Sequence, residues 1–113
     1  MNAGQVLEDA VYYLIRDRQD RFYSSVAENV IYKDVGVEGE IDVFAYHHIH
    51  NKKRYVIIVE CKLSHRYKKA VSQLKRAREY ILSKHKNTRV FCFYAHDYKA
   101  KTHKYKIEWL WKI

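Results

Sequence analysis

The spacing of apolar side chains divides the chain into two helices and five strands. Apolar residues recur every three to four positions over residues 4–16 and 67–84, which predicts two amphipathic helices. The other apolar runs are short and rich in β-branched and aromatic residues, which is typical of strands. Residues 34–39 contain two glycines and predict a turn after the first strand. The predicted strands cover residues 26–33, 40–47, 54–62, 88–95 and 105–111.

The order of these elements predicts an α/β fold with a mixed central sheet. Short links between the first three strands favour an antiparallel meander. The second helix lies between the third and fourth strands and favours a crossover that adds a parallel strand. The chain contains no repeat, linker or low-complexity segment, so we expect residues 1–113 to form a single domain.

The charge balance indicates a phosphate-bearing partner. The chain carries 22 basic and 13 acidic residues, a net charge of +9 at pH 7. A small domain this basic usually binds nucleic acid or an anionic membrane surface. The longest apolar run, residues 55–59, is too short to cross a bilayer, and no secretory signal opens the chain. We therefore expect a cytoplasmic protein with no membrane partner.

Two carboxylates and a lysine on the second and third strands are the most informative residues. Asp42 and Glu60 each lie nine positions from Asn51, so a hairpin folded about Asn51 would bring their side chains within about 5 Å. Such carboxylates repel unless a cation lies between them, and Mg²⁺ prefers this ligand type. Lys62, on the same face as Glu60, could orient water and stabilise phosphate charge. The alternative is a solvated rim of polar strand ends, but Glu60 interrupts an apolar run.

These residues resemble the motif of the PD-(D/E)xK nuclease superfamily. Asp42 ends a Gly-Glu-Ile-Asp segment, positions 60–62 read Glu-Cys-Lys, and Glu8 lies on a preceding helix. Ile41 replaces the Pro of the superfamily's name. The similarity covers nearly the whole chain and is greatest to small archaeal-type Holliday junction resolvases. It implies a restriction-endonuclease-like core and a DNA endonuclease that uses Mg²⁺, with Mn²⁺ as a substitute and no small-molecule cofactor, in DNA recombination or repair.

The resemblance also implies a role for each candidate residue. Glu8, Asp42 and Glu60 would bind the metal together with the Cys61 carbonyl, and Lys62 would assist the attacking water. An acid on the first helix joins the metal shell in the family. Helical geometry favours Glu8 for this role, because the next residue, an aspartate, falls on the solvent side of the helix. The alternative is that Glu8 is an ordinary acid at the start of the helix, favoured by the helix dipole.

Gln73 on the second helix resembles a glutamine that faces the active site in related nucleases. Some branches of the family pair it with a Tyr four residues later, and Ala77 occupies that place here. This departure argues against the exonuclease branch that carries the pair. The alternative is that Gln73 is an ordinary surface residue of the helix.

Clusters of Lys and Arg provide candidate contacts to DNA phosphates. We expect the clusters at 52–54 and 65–69 to flank the metal site; the alternative for any one run is a solvated surface. The candidates are Arg16, Lys52, Lys53, Arg54, Arg66, Lys68, Lys69 and Arg76.

The sequence thus predicts an endonuclease acting on branched or otherwise structured DNA. We expect a homodimer, because two sites related by symmetry match the two strands of a junction. Two alternatives remain. One is a non-catalytic nucleic-acid-binding module or nuclease subunit of the same fold. The other is a sequence-specific restriction or homing endonuclease, although no recognition insert is visible.

Overall fold

The predicted helices and strands occur in the predicted order. A computed structural model describes residues 3–17, 25–34, 36–48, 54–62, 66–96 and 110–112. Within these ranges the elements are α1 (Ala3–Arg16), β1 (Ser25–Asp34), β2 (Val37–His48), β3 (Arg54–Lys62), α2 (Tyr67–Lys84), β4 (Thr88–His96) and β5 (Leu110–Lys112).

The strands form one mixed sheet in the order β1-β2-β3-β4-β5. β1, β2 and β3 make an antiparallel meander, β3 and β4 are parallel, and β5 pairs antiparallel with β4. α2 connects the two parallel strands as a crossover. The predicted α/β class and sheet topology are therefore confirmed.

The two helices cover opposite faces of the sheet. α1 packs on β1, β2 and β3, whereas α2 packs on β2, β3 and β4. No helix among the described residues is long and apolar enough to cross a membrane. The buried stripes consist of Leu7, Val11 and Ile15 on α1, and of Ala70, Leu74, Ala77 and Ile81 on α2.

β3 is buried on both faces at the centre of the sheet. Val59 and Cys61 pack in the core beneath α1, and Val56 and Ile58 pack in the core beneath α2. A strand covered on both sides needs apolar residues at successive positions, which explains its continuous apolar run.

β1 and β2 exchange their faces at Asn29. Val26 packs on the α1 side and Val30 on the α2 side, although an even spacing keeps residues on one face of a regular strand. The backbone of Asn29 is left-handed, with φ of 54°, a conformation that Asn tolerates better than most residues. The same exchange separates Ile41 from Val43 on β2. The register between β1 and β2 is the same before and after Asn29, so both strands exchange faces at the same point.

Most predicted boundaries agree with the structure to within one residue, and the larger differences lie in β2 and β5. β2 begins at Val37, so residues 37–39 belong to the strand and not to the turn. Asp34 pairs with Val37, and Gly36, with φ of 75°, supplies the positive φ that such a tight turn requires. Of the predicted strand 105–111, the structure describes only its last two residues, within β5, and residues 105–109 lie outside the described ranges.

Candidate active site

The β2–β3 hairpin has the predicted register. Its pairs run from His48 with Arg54 to Val43 with Val59, all equidistant from position 51. Asp42 and Glu60 follow directly after the last pair.

The two predicted carboxyls are in contact where this ladder ends. Asp42 Oδ2 accepts a hydrogen bond of 2.8 Å from the Cys61 amide. The carboxyl of Asp42 also lies close enough to Glu60 to raise its pKa through charge and hydrogen bonding. The hairpin therefore places both carboxyls together, as the symmetry about Asn51 predicted.

Glu60 is a buried acid with an unsatisfied oxygen. Its side chain is 1% exposed, and its Oε1 has no hydrogen-bond partner among the described residues. Burial and the Asp42 carboxylate raise the pKa of Glu60 to about 9, although the Lys62 charge opposes the shift. At neutral pH, Glu60 therefore keeps a proton in its contact with Asp42.

Glu8 on α1 faces the same group of acids. Partial burial raises its pKa to about 7, and Asp42 and Glu40 are the next causes. With the Asn29 amide oriented so that its nitrogen faces the acids, it donates to Glu8 Oε2 at 3.1 Å and to Glu40 Oε1 at 2.8 Å. The structure thus brings Glu8 to Asp42, while its role as a metal ligand stays a prediction.

Asp9 does not lie on the solvent side of α1 as expected. Gln5 Nε2 donates to Asp9 Oδ1 at 2.8 Å and to Glu28 Oε2 at 3.2 Å. Burial and the hydrogen bond with Asp9 raise the pKa of Glu28 to about 7. Glu28 and Asp9 form a second pair of carboxyls, which sequence reasoning missed because it depends on how α1 packs on β1.

A basic protein therefore concentrates its acids in one region. The acids that surround Asn29 and the end of the β2–β3 ladder are Glu8, Asp9, Glu28, Glu40, Asp42 and Glu60. These six account for nearly half of the 13 acidic residues.

Lys62 provides a positive charge beside the buried acid. It is half-buried and lies two positions after Glu60, on the same face of β3. Its charge lowers the pKa of Glu60 and of the Cys61 thiol, though burial raises the Cys61 pKa well above its ordinary value. The backbone of Cys61 contributes its amide to Asp42, and metal binding by its carbonyl stays a prediction.

Gln73 lies at the edge of the buried face of α2. It is half-buried, and its Oε1 is buried without a hydrogen-bond partner among the described residues. α2 packs on β3, the strand that carries Glu60. A role for Gln73 at the active site and the alternative of an ordinary helix residue both stay open.

The basic candidates on the helices are exposed. Arg66, Lys68, Lys69 and Arg76 lie on or directly before α2, which begins five residues after β3 ends. Arg16 ends α1, and its guanidinium lies 5.2 Å from the centre of the Tyr13 ring. These side chains can reach phosphates without a large rearrangement.

Arg54 lies far from the acids. It is the first residue of β3 and Glu60 is the seventh, so about 20 Å of extended strand separates them. The expectation that the 52–54 cluster flanks the metal site is therefore wrong for Arg54. Lys52 and Lys53 lie outside the described residues.

The donor set fits a divalent cation held by two carboxylates. In the described part of the chain, no three His, Cys, Asp or Glu side chains form a ready metal site. Mg²⁺ commonly uses one or two carboxylates and completes its shell with water. Asp42 and Glu60 meet this need, and within the described ranges the buried Glu60 Oε1 has no hydrogen-bond partner. Oxygen donors of this kind suit a hard ion such as Mg²⁺ or Mn²⁺.

Comparison with known proteins assigns no family. No protein-family model matches the sequence, and no curated protein matches it significantly. The chain is similar to a solved structure titled "Crystal Structure of Protein of Unknown Function AF1548", with 26% identity and a TM-score of 0.48. The match covers 90% of this chain and 53% of that one, so this chain spans about half the length of that protein.

Proposed function

We propose that the protein is a Mg²⁺-dependent endonuclease that hydrolyses DNA phosphodiester bonds. The observation that supports this most strongly is the contact between Asp42 and the buried Glu60, with Lys62 beside them. A protein of net charge +9 that only bound DNA would gain nothing from carboxyls directed against each other.

The energetics of the carboxyl pair favour a cation. A buried carboxyl whose neighbour is another carboxyl is stable only when it keeps its proton or binds a positive ion. Asp42 and Glu60 are the residues that would hold the metal. When bound, Mg²⁺ would lower the pKa of a coordinated water and neutralise phosphate charge.

Lys62 and the basic residues of α2 perform the remaining tasks. The Lys62 ammonium can donate hydrogen bonds to the attacked phosphate and stabilise the negative charge that develops there. The first turn of α2 has no acidic residue and no side-chain cap. Its free amides and the cations Arg66, Lys68 and Lys69 suit the flanking phosphates of the strand.

We further propose branched or structured DNA as the substrate and a homodimer as the active unit. One domain offers one acidic site, so paired cuts in two strands require two copies of the chain. Subunit mixing tests this: Lys62→Ala chains mixed with wild type should form heterodimers that nick a four-way junction without resolving it. Paired cuts in proportion to the wild-type chains would instead indicate independent monomers.

A cleavage assay tests the proposed activity. The purified protein is incubated with labelled four-way junction, duplex or single-stranded DNA, in Mg²⁺ or in EDTA. We expect cleavage in Mg²⁺ alone, and its loss in Glu60→Ala. DNA binding should persist or tighten in that variant, because an acid that repels phosphate is removed.

The control is Glu79→Ala, which removes an exposed acid of α2 and should cut like wild type. Cleavage by Glu60→Ala at the wild-type rate would place the site elsewhere. DNA binding without cleavage in either Mg²⁺ or Mn²⁺ would favour the non-catalytic module of the same fold.

A further inference from the structure

A second concave site lies between the sheet and the C-terminal half of α2, near the start of β3. It is a cavity of about 210 Å³. Its walls include the rings of Tyr32, Phe44, Tyr46 and Tyr80. The rings of Tyr32 and Tyr80 lie 4.8 Å apart between centroids and are tilted by 31°. Aromatic walls of this kind suit a flat ring system.

The edge of the cavity is positively charged. Arg54 and Lys84 both line it. Arg54 Nη1 lies 2.7 Å from His85 Nδ1, to which it donates a hydrogen bond. Lys84 Nζ is 2.6 Å from Asp34 Oδ2. Two cations therefore face one carboxylate, and the edge attracts an anion.

Thr88 supplies an unused polar group to the same cavity. It lines the cavity, and its buried Oγ1 has no hydrogen-bond partner among the described residues. Buried hydroxyls are normally paired, and this one has almost no accessible surface, so a ligand completes its bond when the cavity wall shifts on binding. The edge of a nucleobase carries both donors and acceptors for such a bond.

We propose that this cavity binds one unstacked base of a single-stranded segment of DNA, with its phosphate at Arg54 and Lys84. The volume lies below the roughly 300–1,000 Å³ of common ligand pockets, which suits one base. Tyr32 joins the cavity to the acidic region, since this wall residue pairs with Gly39 on β2, next to Glu40. A bound strand can therefore extend from the cavity toward the carboxyls. The choice of DNA as ligand rests on the proposed function.

Equilibrium binding in EDTA tests the proposal separately from cleavage. The probe is a single-stranded oligodeoxynucleotide containing 2-aminopurine, whose fluorescence falls when the base stacks on an aromatic ring, and a matched duplex serves for comparison. Thr88→Val preserves the shape of the side chain and removes the hydroxyl. We expect about fivefold weaker binding to the single strand, the contribution of one hydrogen bond, and unchanged binding to the duplex.

A second variant removes an aromatic wall, and a third serves as control. Tyr80→Leu should weaken single-strand binding about tenfold and reduce the quenching of 2-aminopurine. Ser83→Ala removes an exposed hydroxyl near the same helix end and should bind like wild type. Thermal unfolding of Thr88→Val should show a folded protein, because the lost hydroxyl has no partner among the described residues.

Two results would overturn the proposal. One is unchanged single-strand affinity in Thr88→Val, and the other is an equal loss on single strand and duplex. Absence of cleavage in the nuclease assay would refute the proposed function alone, since this binding needs no metal. An active nuclease whose Thr88→Val variant binds normally would refute this inference alone.

Discussion

The two ends of β3 differ in how their charged groups are satisfied. At the N-terminal end, Arg54 contacts His85, and near it Lys84 pairs with Asp34. At the C-terminal end, the buried Glu60 meets another carboxyl and keeps one oxygen without a partner among the described residues. The first arrangement is ordinary surface chemistry, whereas the second destabilises the free protein.

This difference separates residues that serve the fold from residues that serve a ligand. A sheet could end in neutral or paired side chains at no cost, so the buried acid at the end of β3 supports the proposed metal site. Among the described residues, the N-terminal end has paired charges but one unpaired hydroxyl, that of Thr88. The proposed metal site therefore centres on Glu60 at the C-terminal end of β3. The proposed nucleobase site centres on Thr88, beside the N-terminal end.

The largest effect should come from removing the positive charge of Lys62, at the C-terminal end of β3. Lys62→Ala should lower the rate of DNA cleavage by about 10² or more, typical of one electrostatic or acid–base group, with Mg²⁺ and DNA still bound. Single-turnover kinetics and a binding titration measure the two properties. The exposed Lys33 provides the control, and Lys33→Ala should cut normally. Full activity of Lys62→Ala would show that Lys62 is a lysine at the solvated edge of the sheet with no part in cleavage.

Neutralising the buried acid should stabilise the protein in EDTA. Because the folded pKa of Glu60 is raised to about 9 from 4.5, the folded state holds more protons than the unfolded state between these values. The free energy of unfolding therefore falls as pH rises through this window. Glu60→Gln should be more stable at pH 8 by on the order of 2 kcal/mol.

The pH profile of the same variant gives a sharper test. In Glu60→Gln, the free energy of unfolding should still fall as pH rises, but only up to about pH 7, where Glu8 and Glu28 titrate. Urea unfolding at several pH values measures it. Mg²⁺ should stabilise wild type and have no such effect on Glu60→Gln. A variant with the slope and Mg²⁺ response of wild type would contradict a buried, protonated Glu60.

A substitution at Gly39 tests how tightly Tyr32, a wall of the cavity, packs against β2. It pairs with Tyr32, and a Cβ at this position would overlap the Tyr32 ring and hydroxyl. Gly39→Ala should destabilise the fold by about 1–3 kcal/mol, as overpacking does. The loss in a Gly39→Ala/Tyr32→Ala double variant should be smaller than the sum of the single losses, because the ring that the new Cβ would overlap is gone. Additive losses in the free energy of unfolding would show that the Tyr32 ring moves aside without strain.

The smallest effect should come from the exposed ion pair of the basic end. Asp34 and Lys84 are 40% and 45% exposed, so Asp34→Asn should leave the thermal midpoint nearly unchanged. It makes the cavity edge more positive and should tighten single-strand binding about twofold at low salt. The gain should vanish at high salt, where exposed charges are screened. A gain that persists in high salt would show a cause other than charge.

The sequence by itself determined the order of the elements and the register of the central hairpin. The distances of Asp42 and Glu60 from Asn51 predicted the register of the hairpin, and both residues follow its last pair directly. The apolar stripe of α1 favoured Glu8, which does face Asp42, but it also put Asp9 on the solvent side, which is wrong. The element order and the hairpin register could be predicted because each depends on local periodicity within one element or one hairpin.

Only the tertiary structure decided which groups meet across elements. The left-handed Asn29 turns β1 and β2 over, which no alternation pattern reveals, and its amide can then bridge Glu8 and Glu40. Arg54 is close in sequence to the hairpin loop, yet the strand carries Glu60 about 20 Å away from it. The cavity beside Thr88 exists only where α2 crosses the sheet. Sequence periodicity specifies the face of an element, whereas the packing of one element on another specifies its neighbours.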